Sequence, residues 1–238
     1  MRLLSFFKGV SRASLLALPC PELRGSRMRL RDYLERYPDL KHLTYAAVRC
    51  LPGGEELLEA EVGFDPELRA AGCVDVGERR IVFREDPPDE LTLLHELVHL
   101  AGCYVERYAG TLSLILLYFA ENGVVCDLFR LLELTPSDLE RAVREATGLS
   151  LEEWINSRGT SVPCTTLDER EGRLKFDGDC FSLLVDFFIG WLQIESVAGD
   201  EACRAIVERL AALTLEGGGP GRGGTERCSA VDAEEVEE

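Results

Sequence analysis

Apolar positions along this chain fall into short blocks whose period changes, and the changes predict its elements. Leu30 and Leu34 recur at helical spacing and the pattern stops at Pro38, which predicts a short helix over 28–37. Residues 44–51 look strand-like and end at Pro52-Gly53-Gly54, while 56–64 suits a helical turn followed by a strand. Two β-rich blocks, 73–76 and 80–84, flank Gly77-Glu78 and predict a hairpin. Beyond Pro87-Pro88, Asp89 is placed to cap a helix whose apolar signal continues past Leu100. From Pro136 the period is helical. Ser137 opens a helix to Gly148, Ser150 and Glu153 form a capping box before Trp154, and 159–177 is expected as a loop. A strongly apolar helix is expected over 181–196, and Asp200 caps an amphipathic one to Leu213. Trp154 and Trp191 are expected in the core. The glycine-rich and acidic stretch 216–238 has nothing to bury and is expected to be disordered.

The helix after Asp89 carries His95-Glu96-Leu97-Val98-His99. Four helical residues make a turn plus about 40° and rise roughly 6 Å, so both imidazoles project from one face. Two nitrogens so placed can share one Zn²⁺, with Glu96 beside the open position to take a proton from water there. The alternative is a partly buried helix that happens to carry two histidines. Against it, the chain has only 3 histidines and two are here. The flanking residues are also uncharged, as around the metal helices of zinc peptidases.

A catalytic zinc wants a third protein ligand. Cys103 lies too far along the same helix, Glu106 farther still unless the chain breaks at Gly102, and His42 is on the other side of the motif. If the helix instead runs to Ala109-Gly110 and a second begins at Thr111, an antiparallel return brings Glu121 level with His99. Asp127 then falls nearer His95, where it could hold the ring's other nitrogen. Glu121 is the preferred third ligand; Asp127, Glu106, His42 or no third side chain at all stay open as alternatives.

Composition narrows the partners. A formal charge of −17 disfavours nucleic acid and anionic membrane surfaces. No run reaches the roughly 20 apolar residues of a membrane span, and no targeting segment is evident in 1–27, so a soluble cytoplasmic protein is expected. The 9 cysteines form no C-x-x-C pair, which excludes a zinc ribbon or a thioredoxin-like motif. Scattered thiols are the default, and intracellular disulfides the second option. The strand just before the metal helix would offer an edge for a peptide to join.

On His95, Glu96 and His99 the sequence resembles the zincin metallopeptidases, and among them the gluzincins, whose third zinc ligand is a glutamate on a following helix. Gly102 stands where the metzincin branch keeps its glycine, but Val105 occupies that branch's third-ligand position, which sets it aside. The resemblance spans 79–134 at most. It implies an α+β fold: a zincin-like catalytic domain over 28–134, after an N-terminal extension 1–27 and before a helical C-terminal part 135–215. It implies Zn²⁺ on His95, His99 and Glu121, with Asp127 as the supporting acid and Glu96 as general base and then acid. Two departures stand out. Asp127 is six residues past Glu121 rather than a turn, and no histidine remains to steady an oxyanion, which leaves Tyr104, Tyr108 or Tyr118. The expected function is zinc-dependent hydrolysis of a peptide or protein substrate. The rivals are a non-proteolytic regulatory or protein-binding module on the same fold, and an all-helical interaction protein without metal.

Overall fold

The computed structural model describes residues 28–158, 165–168, 173–176 and 201–216. Within them the fold is mixed α and β. A short strand β1 (Met28–Arg29) leads into α1 (Leu30–Leu34) and α2 (Pro38–Val48). Pro38 does more than end the first helix. It stands at the first position of α2, where its missing N–H is not needed, so 44–48 are helical and not a strand. A 3₁₀ turn (Gly54–Glu59) precedes β2 (Glu61–Phe64), as the ambiguous pattern there suggested. The hairpin is present as β3 (Gly72–Asp75) and β4 (Arg80–Phe83).

These strands form one sheet in the order β1-β2-β4-β3. β2 and β4 run parallel, and both outer pairings are antiparallel. The strand before the histidine helix is therefore interior: Ile81, Val82 and Phe83 of β4 are fully buried, and the edges of the sheet are β1 and β3.

After β4 the chain is pinned by Asp86, whose Oδ1 accepts hydrogen bonds from the hydroxyls of Tyr33 and Tyr37, each at 2.9 Å. Asp89 then caps α3 (Glu90–Leu100), accepting from the Thr92 N–H at 2.9 Å and its hydroxyl at 2.7 Å. Nearly every face of α3 is covered, with Leu93, Leu94, Leu97 and Val98 fully buried, which explains its uncharged flanks.

The helix does not run on to Gly110. It stops at Leu100 in a Schellman turn: Gly102 N–H donates to the His99 carbonyl at 2.9 Å and Cys103 N–H to the Val98 carbonyl at 3.2 Å. Gly102 takes φ +111°, which an L side chain resists. The next helix, α4 (Glu106–Asn122), starts five residues earlier than Thr111 and contains Ala109 and Gly110 in its interior.

Beyond a 3₁₀ turn (Phe129–Glu133), α5 (Pro136–Thr147) begins on a capping box of Thr135 and Asp138 rather than on Ser137. α6 (Leu151–Arg158) follows the Ser150/Glu153 pair, whose two hydrogen bonds measure 2.8 and 3.2 Å. The expected loop at 159–177 contains a second hairpin, β5 (Thr165–Asp168) with β6 (Arg173–Phe176), so this part is not wholly helical. α7 (Glu201–Leu215) matches the amphipathic helix expected after Asp200. The expected helix over 181–196, Trp191 and the tail from 217 lie outside the described residues. Trp154 is buried, and one apolar core joins α1–α4, the sheet, α5, α6 and α7. Cys50 and Cys126 are buried free thiols, Cys103 is buried, and Cys73 is disulfide-bonded. No described helix is long and apolar enough to cross a membrane.

Candidate metal centre

The turn at Gly102 decides which carboxylate meets the histidines. By reversing the chain just past His99, it starts α4 beside the imidazole pair and puts Glu106 in the first turn of that helix. His95 and His99 point the same way, with Nε2 atoms 3.0 Å apart and rings edge to face at 4.6 Å between centroids. Glu106 bridges them: Oε2 lies 3.2 Å from His95 Nε2 and Oε1 3.3 Å from His99 Nε2. Among the described residues, this is the group of three such side chains that converges closely enough to hold a metal ion.

The donor set fits zinc. Ligands about 2.0–2.1 Å from a tetrahedral ion lie roughly 3.3 Å from one another; the two Nε2 atoms are 3.0 Å apart, and each has one oxygen of the Glu106 carboxylate within 3.3 Å, Oε2 for His95 and Oε1 for His99. The Cys103 carbonyl lies 2.6 Å from His99 Nδ1, so that nitrogen donates its proton there and Nε2 is the one that faces the cluster, as an N–H toward Glu106 in the metal-free protein or as a lone pair toward a bound ion.

Electrostatics divide the cluster. Hydrogen bonds with His95 and His99 hold the Glu106 carboxyl far below the usual carboxylate range. Burial pulls the His99 imidazole down, but Glu106, Glu96 and the Cys103 carbonyl outweigh it and its pKa is raised. Glu96, 5% exposed, is raised because burial disfavours its charge more than the two histidines favour it. Exposure grades across the site: the Glu106 side chain is 72% exposed, His95 24% and His99 11%. One side is open to solvent and the other is packed.

Of the carboxylates the sequence left as candidates, the structure brings Glu106 to the histidine pair and not the preferred Glu121. Glu121 sits exposed in the last turn of α4, and this helix of 17 residues spans roughly 25 Å. Asp127 follows the far end of α4, its N–H donating to Thr214 Oγ1 of α7 at 2.8 Å, and His42 is exposed on α2. None of these joins the histidine pair. The break at Gly102 that would admit Glu106 is present: this glycine stands three residues after His99 and is followed by the buried Cys103. That is the signature of a helix stop with its small apolar contact, and it shortens the path to Glu106. Comparison with family models, curated proteins and solved structures returned no match for this chain.

Proposed function

We propose that this protein is a zinc-dependent peptidase of zincin type, with His95, His99 and Glu106 as the metal ligands and Glu96 as the proton carrier. The observation that supports it most is the convergence of two imidazole Nε2 atoms and one carboxylate, all in contacts of 3.3 Å or less, beside a buried glutamate. A zinc ion held there supplies Lewis acidity, polarising a scissile carbonyl and making a water molecule acidic near neutral pH. The chain's own residues do the rest. Glu96 takes the proton from that water and delivers it to the leaving amine, a task suited to a carboxyl whose pKa is raised by burial. The Cys103 carbonyl keeps His99 in the tautomer that leaves Nε2 free. The exposed flank at Glu106 admits a peptide or protein substrate.

Protein purified without a histidine tag is expected to carry about one equivalent of zinc and to cleave members of a mixed peptide library, with products identified by mass spectrometry. Glu96→Gln is expected to keep the metal and lose turnover by about 100-fold or more. Hydrolysis by Glu96→Gln at the wild-type rate would remove the mechanism. A zinc-loaded wild type that cleaves nothing would favour the non-proteolytic binding module, and absence of zinc would sink both.

A further inference from the structure

The most crowded point near the site is on the sheet, opposite the proposed proton carrier. Gly72 is buried in β3 and paired to Phe83 of β4. A Cβ at Gly72 would lie 2.7 Å from Glu96 Oε1, 2.8 Å from its Cγ and 3.0 Å from its Cδ. Carbon contacts settle at about 3.5–4.0 Å, so a methyl there overlaps most of the Glu96 side chain and not only its tip. Gly72 is also absent from the glycines with positive φ, so its backbone would accept an L residue. Space alone excludes one, and Glu96 is what occupies that space.

We propose that Gly72 is a positioning residue for Glu96: its missing side chain is what allows the carboxylate to lie buried beside the histidine pair. Gly72 pairs with the fully buried Phe83 of β4, and the Ala71 carbonyl accepts the Arg84 N–H at 2.9 Å, so this end of β3 is tied to the sheet. Leu93, Val98 and Leu97 around Glu96 on α3 are fully buried as well, so the helix cannot retreat. A residue larger than glycine at position 72 therefore rotates Glu96 out of place. A displacement of about 1 Å in a catalytic group is enough for a loss near 100-fold. The effect on turnover rests on the proposed function, whereas the packing relation does not.

The test is a double-mutant cycle on the full chain. Melting temperatures are measured for wild type, Gly72→Ala, Glu96→Ala and the double variant, all with zinc removed. Gly72→Ala is expected to lower the melting temperature in the wild-type background and to have little effect once Glu96→Ala has vacated the space. Equal losses in both backgrounds would overturn the proposal, because β3 would then need its glycine for some other reason. If Gly72→Ala alone does not fold, a folded double variant supports the proposal and an unfolded one overturns it. In zinc-loaded protein, Gly72→Ala is expected to keep about one equivalent of metal, to lose kcat by about 100-fold with KM within about twofold, and to add no further loss to Glu96→Gln. Losses that multiply with Glu96→Gln would overturn it. Should wild type cleave no peptide, the melting cycle still decides the role of Gly72, so failure of the peptidase reading and failure of this one are distinct.

Discussion

The two ends of α4 each present a glutamate, and only one of them meets the histidines. Glu106 opens the helix, just after a turn closed by two backbone hydrogen bonds, and lies within 3.3 Å of both imidazoles. Glu121 closes it, exposed, before Gly123 in the left-handed region. The hydrophobic setting of Glu121 is the richer of the two, yet it has no part in the cluster. Which carboxylate meets the imidazoles depends on the point at which its helix starts relative to α3, and apolar flanks do not report that.

The largest expected effect separates the two glutamates directly. Glu106→Gln is expected to weaken zinc binding by about 100-fold or more, since loss of even a supporting group costs roughly 10–100-fold, while Glu121→Gln leaves affinity within about twofold. Competition with a chromophoric chelator reads both. The reverse ranking would move the third ligand to the other end of α4.

A smaller effect is expected from the two turns. Gly102 (φ +111°) and Gly123 (φ +68°) end α3 and α4 in the same backbone region. Alanine at either should destabilise the fold by about 1–2 kcal/mol, seen in urea unfolding. Only Gly102→Ala should also weaken zinc binding, because only that turn aims the Cys103 carbonyl and Glu106. Equal zinc affinities in the two variants would contradict the positioning role of the Gly102 turn.

Asp89→Ala removes the cap of α3 and is expected to cost about 1 kcal/mol, measurable by the same unfolding experiment. Zinc stoichiometry should persist, because the Schellman end of the helix is untouched.

The smallest effect concerns Glu96 in zinc-free protein. Its folded pKa is raised by burial, so the folded state holds a proton that the unfolded chain gives up at lower pH. Stability therefore falls as pH rises from the unfolded value through the raised one and stays reduced above it. Glu96→Gln lacks this loss and should melt higher than wild type at neutral pH, with the difference shrinking toward pH 4 or so, near the ordinary glutamate value. A difference independent of pH would show that the ionisation of Glu96 does not contribute.

Much of the sheet was readable locally. The hairpin of β3 and β4, the Asp89 cap and the Ser150/Glu153 box depend on neighbours a few residues apart, and each is present. The misread segments were those where a local signal admits two outcomes. Pro38 ends one helix and begins the next, so 44–48 became helical despite their β-branched character. The interior Gly110 was taken as a helix end because alanine and glycine together suit a cap, yet α4 continues through it. The reverse error fell on Gly102, where a glycine inside an apolar run did stop the helix.

The sequence by itself determined that two imidazoles share a helix face with Glu96 between them, because helical geometry follows from spacing alone. Tertiary structure alone decided that this helix is covered on nearly every face, which acid faces the pair, which strands became the edges of the sheet, and that a glycine on β3 backs onto Glu96. Those relations join residues on separate elements, and the directions in which elements leave one another depend on turn conformation and packing.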